Sequence, residues 1–231
     1  MLFDVDRNWI VVLPAKCGVR RLINAVHRSK REDIIEYRVH DGFLPTHATA
    51  KYTSAKQFLQ VRDPLERYVS MYWYIKNASK RHYINDGLYN EYMKDFSTFL
   101  DRAYRVNLWL QSRGAMERGF TQQVFWPLIG LYLDNLPNAE IVQIEKPEDV
   151  QRMMERMGLS YKLYNSVSVH SNDDRNTTED TLENSEPLSP NARRMLASEY
   201  TNLARRGCRY EIPSCLHTYS RNDSVKGAQT L

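Results

Sequence analysis

The chain has 231 residues, enough to bury one full core and short for two. Its composition is 42% hydrophobic and 26% charged, the proportions of a soluble globular domain, which excludes fibrous and disordered classes. Basic residues number 32 against 28 acidic, a net +4 that is too small to indicate nucleic acid but suits anionic small molecules. No apolar run approaches the ~20 residues of a membrane helix, and the first ten residues carry acidic side chains where a signal peptide requires basic then apolar ones. A soluble cytoplasmic protein without a membrane span is therefore expected. Cys17, Cys208 and Cys215 match no zinc or disulfide spacing and read as free thiols. No internal repeat is present, and no pattern specifies an oligomeric state.

Residues 9–13 (WIVVL) read as a strand buried on both faces. Pro14-Ala15-Lys16-Cys17-Gly18 forms a turn, and a helix follows with Val19, Leu22, Ile23 and Val26 on one stripe. Arg20, Arg21 and Asn24 sit elsewhere near its start. Strand, lysine-bearing turn and helix N-terminus make the architecture of a phosphate loop, because free N–H groups and the positive dipole end meet a cation there. Neither GxxxxGK[ST] nor GxGxxG is present, and a cysteine phosphatase loop would need arginine where Ile23 stands. Cys17 is either a thiol of lowered pKa or a small buried residue. Residues 34–39 (IIEYRV) read as a second strand ending at His40, and residues 44–56, with His47, as a loop or short helix.

Phe58, Leu59 and Val61 form a third apolar run, with Arg62 at its end. Asp63 then suits a helix N-cap, Pro64 the first helical position, and Glu66 the third, completing a capping box. In this helix Leu65, Val69, Tyr72 and Trp73 face a core, while Arg67, Ser70 and Tyr74 recur on another face. The corner is either an anion site or an ordinary turn whose Arg62 pairs with Asp63 or Glu66. The element order predicts an α/β fold, a central parallel sheet flanked by helices with right-handed crossovers. Ligands then gather at the carboxyl ends of the strands, where Lys16, His40 and Arg62 lie.

Residues 96–110 predict a helix with Phe99, Leu100, Ala103 and Val106 inward. Tyr83, Tyr89, Tyr92, Tyr104 and Trp109 either line an acceptor groove or belong to the core. Residues 121–136 are helical but interrupted at Pro127. Residues 140–144 (EIVQI) read as a strand, followed by Glu145 and a helix over 147–157 whose methionines fill a core rather than bind metal. Residues 170–187 are polar and acidic and read as a mobile surface loop. Ser189-Pro190 starts a last helix with Met195, Leu196, Tyr200 and Leu203 inward. One domain over residues 1–212 and a polar tail over 213–231, fraying from about residue 214, complete the reading.

Arg62-Asp63-Pro64-Leu65-Glu66-Arg67-Tyr68-Val69-Ser70-Met71-Tyr72 resembles the RDPxxRxxSxY motif with which sulfotransferases bind the 3′-phosphate of 3′-phosphoadenosine 5′-phosphosulfate (PAPS). Its form is most similar to the carbohydrate sulfotransferases and their bacterial or viral relatives. Pro14 to Leu22 resembles the same family's 5′-phosphosulfate loop, PKxGTTxL, with the lysine, glycine and leucine matched. An extra residue follows the proline, and Val19 and Arg20 replace the hydroxyl pair. Gln143-Ile144-Glu145, Asp149 and Met157-Gly158-Leu159 are similar to a later segment. The resemblance covers about residues 8–210 and implies a three-layer P-loop-like fold.

It implies a sulfuryl transfer from PAPS to a hydroxyl of a carbohydrate or small metabolite, with no obligatory metal. Lys16 would stabilise the leaving oxygen. Cys17, Gly18, Val19, Arg20 and Arg21 would surround the 5′-phosphate, and Arg62 and Ser70 would clamp the 3′-phosphate. The catalytic base would be His40 or His47, because the glutamate position of some members is occupied here by Asn24. A binding protein that has lost catalysis is one alternative. A kinase-like enzyme is the other, although GK[ST] and a clear magnesium carboxylate are missing.

Overall fold

A computed structural model describes residues 1–4, 6–36, 54–77, 91–112, 129–166 and 178–219. Five strands form one mixed sheet in the order β3-β1-β2-β4-β5. They are β1 (Leu2–Asp4), β2 (Trp9–Val12), β3 (Ile34–Glu36), β4 (Lys56–Val61) and β5 (Glu140–Gln143). β2 pairs parallel with β4, Val11 opposite Phe58, and β4 pairs parallel with β5, Leu59 opposite Ile141. The expected all-parallel order fails at one place: β1 runs antiparallel to both β2 and β3 and separates them. A tight return makes this reversal: Asp4 Oδ1 accepts the Arg7 N–H at 2.8 Å, and Asn8 takes a left-handed φ of 51°.

The helices are α1 (Val19–Ser29), α2 (Pro64–Asn77), α3 (Phe96–Ser112), α4 (Ile129–Asn135), α5 (Pro147–Arg156), α6 (Tyr161–Asn165), α7 (Thr178–Glu183) and α8 (Pro190–Arg205), with a 3₁₀ turn at Ser214–Tyr219. Alternating strand residues feed two separate cores, as the period of two requires. On one face Trp9, Val11, Phe58 and Val142 pack against Leu22 and Val26 of α1, Met153 and Met154 of α5, and Tyr164 of α6. On the other, Ile10, Val12, Leu59 and Val61 meet Ile129 and Leu133 of α4 and Leu203 of α8. A third, wholly helical core joins α2, α3 and α8. There the Tyr72 ring meets Phe96 and Phe99 edge-on, with centroids at 5.6 and 5.5 Å.

Phe99, Leu100 and Ala103 are fully buried, as the helical stripe predicts. Tyr92 and Tyr104 pack against the same core, which favours the core role for these two over a groove. Tyr83, Tyr89 and the Trp109 side chain lie outside the described residues. Ser189 caps α8, its hydroxyl accepting the Ala192 N–H at 3.1 Å. Two polar stretches are more ordered than their composition suggests. α7 forms within the stretch read as a loop, and its buried Thr181 accepts the Trp73 Nε1–H at 2.8 Å. Leu216 in the 3₁₀ turn is buried in the helical core, so the chain stays packed beyond residue 214. Among the described residues no helix is long and apolar enough to cross a membrane.

Thr181→Val keeps the side-chain shape and removes the acceptor of the Trp73 N–H. It is expected to cost about 1 kcal/mol in urea unfolding and to lower hydrogen-exchange protection across α7. Unchanged protection would show that α7 is held by other contacts.

Candidate functional site

Three parallel strands end on the same side, and the segments that follow them build one corner. After β2 the chain turns sharply, with the Cys17 N–H donating to the Pro14 carbonyl at 3.2 Å. Lys16 (φ 68°) and Gly18 (φ 77°) both take left-handed backbone, a curl of the kind that turns successive N–H groups into an anion-binding concavity. Left-handed geometry costs a non-glycine residue about 1–2 kcal/mol, so its presence at Lys16 marks a conformation held by its surroundings. The Gly18 carbonyl accepts the N–H groups of Arg21 and Leu22 at 3.1 and 3.3 Å. The N–H groups of Val19 and Arg20 then have no intrahelical acceptor and sit at the positive end of α1. No acidic residue occupies the first turn of α1, and Arg20 and Arg21 are exposed on it.

Cys17 is fully buried, and burial pushes its thiol up to about 11. It is the small core residue, not the activated thiol, and only its backbone belongs to the loop surface. Lys16 instead reaches across to α2, its Nζ 3.7 Å from the centroid of the Tyr74 ring.

The second half of the corner follows β4. Asp63 caps α2 by accepting the Glu66 N–H at 3.0 Å. The capping box stays half-formed, because the Asp63 N–H donates to Glu145 Oε1 at 2.8 Å instead of to Glu66. The Glu66 carboxylate accepts from Arg62 Nη2 at 2.9 Å and from the Thr178 hydroxyl. Arg62 thus stands at the sheet's carboxyl edge with Glu66 as its described partner, not Ser70. Ser70 is half-buried on the second turn of α2. The Tyr200 hydroxyl donates to the Asp63 carboxylate, and partial burial raises the pKa of that carboxyl.

Arg67 departs from the pattern-based assignment to a polar face. It is fully buried, donates from Nε to the Ala15 carbonyl at 3.2 Å, and places Nη1 3.6 Å from Glu199 Oε2. Glu199, also fully buried, accepts the N–H groups of Ile129 and Gly130 at 2.8 and 3.1 Å. Burial pushes its carboxyl above the ordinary range, against the pull of Arg67 and those two amides. One ion pair therefore ties the Lys16 loop to α2, α4 and α8. A signal for it existed: Glu199 sits four residues after Met195 and four before Leu203, on an otherwise apolar stripe.

Lys16, Gly18, Val19, Arg20, Arg21 and Arg62 are thus gathered around the carboxyl ends of β2 and β4. His40 and His47 lie outside the described residues. No protein-family model, curated protein or solved structure matches this chain.

Arg67→Met leaves the buried Glu199 carboxylate without its cation and is expected to cost about 3–5 kcal/mol in urea unfolding at neutral pH. Losing the cation raises the folded-state pKa of Glu199 further above its unfolded value. The deficit relative to wild type should therefore shrink as pH falls through that raised value and Glu199 takes up a proton. Adding Glu199→Gln should recover part of the loss at neutral pH. A deficit independent of pH would show that packing, not charge, is what Arg67 supplies.

Proposed function

We propose that this chain binds PAPS at the corner formed by the Lys16 loop and α2, and transfers its sulfuryl group to a hydroxyl of a carbohydrate or small metabolite. One observation carries this reading. The two segments that resemble the 5′- and 3′-phosphate motifs follow the adjacent parallel strands β2 and β4, and they touch: Arg67 Nε lies 3.2 Å from the Ala15 carbonyl, and Lys16 Nζ 3.7 Å from the Tyr74 ring centroid. Helices against both faces of the sheet support a three-layer, P-loop-like reading of the architecture.

On this reading the acceptor oxygen attacks sulfur in line, the bond from sulfur to the 5′-phosphate oxygen breaks, and adenosine 3′,5′-bisphosphate leaves. Lys16 stabilises charge on that departing oxygen, while the Val19 and Arg20 N–H groups hold the 5′-phosphate. Arg62 and Ser70 recognise the 3′-phosphate. The acceptor's proton passes to a base, for which His40 and His47 are the candidates. The rival reading, a protein that binds the nucleotide without turnover, draws on a loop lacking hydroxyl side chains and on exposed Asn24 at the glutamate position.

Calorimetry should show adenosine 3′,5′-bisphosphate binding far more tightly than AMP or ATP. Arg62→Ala should lose that preference, at about 2–3 kcal/mol for one charge-assisted phosphate contact. Lys16→Ala should lower sulfuryl transfer by about 100-fold or more while nucleotide binding falls much less. Preference for ATP, or a preference for the bisphosphate that survives Arg62→Ala, would overturn the assignment. Tight binding with no transfer to any tested hydroxyl acceptor would favour the non-catalytic reading.

A further inference from the structure

The loop from Pro14 to Ile23 contains no serine or threonine, so its own side chains offer an anion only cations. A hydroxyl nevertheless comes to it from elsewhere in the chain. Tyr164, on α6, is 2% exposed and belongs to the core shared by α1 and α5. Its phenolic oxygen lies 2.9 Å from the point where a Cβ on Gly18 would stand. That hydroxyl has no hydrogen-bond acceptor among the described residues; the neighbouring Arg21 side chain interacts with it and can only donate. A buried donor without an acceptor is costly, so a fold that places one against the glycine of the proposed phosphate loop calls for an acceptor there. Around it, the Arg21 guanidinium lies 6.0 Å from the Tyr164 ring centroid, and Ile144 Cγ2, at the end of β5, lies 3.5 Å from the same Gly18 position. The missing side chain of Gly18 is what lets the hydroxyl close on the backbone immediately before the free N–H groups of Val19 and Arg20.

We propose that the Tyr164 hydroxyl is a ligand for the 5′-phosphate end of the nucleotide, a donor brought by α6 to a loop that has no hydroxyl of its own. This rests on the nucleotide reading above. It makes the 5′ site a composite of the α1 N-terminus, Lys16, the arginines of the first turn and one tyrosine almost 150 residues further along the chain. The nearest rival acceptor is Gln60 Oε1, which is also buried and unpartnered and lies 3.8 Å from the Gly18 position. A small shift that joined the two groups would make the hydroxyl purely structural.

Tyr164→Phe in the full chain separates these roles. Calorimetry with adenosine 3′,5′-bisphosphate and with adenosine 3′-monophosphate reads the two ends of the ligand independently. The variant is expected to bind the bisphosphate roughly tenfold or more weakly and the 3′-monophosphate as wild type does. Equal weakening of both ligands, no weakening of either, or a lower Tm with unchanged selectivity would overturn the role of Tyr164. Pyrophosphate, which needs no adenosine site, is the second probe. It is expected to bind wild type and to bind the variant about tenfold more weakly. If wild type binds pyrophosphate but not the adenosine bisphosphate, the nucleotide reading falls while the variant still decides the role of Tyr164. If wild type binds neither probe, both proposals fall.

Discussion

The buried pair of Arg67 and Glu199 is the constraint on which the candidate site depends. Both groups are fully removed from water, and what offsets that cost is their mutual charge at 3.6 Å, the Ala15 carbonyl on Arg67 Nε and two backbone N–H groups on Glu199, although Arg67 Nη1 itself makes no hydrogen bond among the described residues. The neighbouring ionisable groups do not compete for the arginine. Burial pushes the Cys17 thiol up to about 11 and the Tyr68 and Tyr132 phenols higher still, so all three stay neutral at physiological pH and Glu199 is the anion that faces Arg67. Apolar side chains of the same volume would often fold as stably as such a pair. They would not hold the Ala15 carbonyl, and that bond fixes the loop carrying Lys16 against the helix carrying Ser70. The pair acts on geometry more than on stability.

The elements that sequence patterns revealed are those whose burial is periodic. β2, β4 and β5 are short apolar runs covered on both faces, and α3, α5 and α8 carry apolar stripes at helical spacing, so local sequence sufficed for them. The misses have other causes. β1 has three residues, too few for a pattern, and depends on an Asp4-anchored turn and on pairing at both edges. α7 is polar in sequence and becomes a helix because Thr181 meets Trp73 more than a hundred residues earlier in the chain. Arg67 looked like a surface residue because charge usually marks solvent. Its actual partner is 132 residues away and cannot be paired with it by spacing. The resemblance to two phosphate motifs rested on local strings, so it located Lys16 and Arg62. It could not show that a buried ion pair joins them, or that Tyr164 comes to Gly18.

The half-formed capping box shows how tertiary contacts reassign a local motif. Asp63 keeps its own cap on α2, but Glu145 from the end of β5 takes the backbone donor that Glu66 would otherwise accept. The substitution links β5 to the start of α2 and frees Glu66 to turn outward to Arg62 and Thr178. Tyr200 closes the arrangement from α8 by donating to Asp63. Three carboxylates thus crowd the carboxyl edge of the sheet, each already an acceptor for named donors. The positive side of the corner is the α1 side, where Arg20, Arg21 and the helix N-terminus meet no acid in the first turn.

On the proposed reading, that asymmetry bears on how Arg62 would serve an incoming phosphate while paired to Glu66. The pair is a partly exposed i,i+4 contact at 2.9 Å, with about a quarter of the arginine and under half of the glutamate side chain accessible. Contacts of this kind contribute about 0–1 kcal/mol, because water and mobile side chains compete with them. A phosphate contacting the same guanidinium through two oxygens in a partly desolvated corner gains more than that. Glu66 is not left stranded by the exchange, since the Thr178 hydroxyl remains its donor. A pair this weak does not fix the Arg62 side chain, so exchanging Glu66 for the proposed phosphate would give up little. An ion pair that could be taken for neutralisation of the site is thus weak enough to yield its arginine to the anion proposed there.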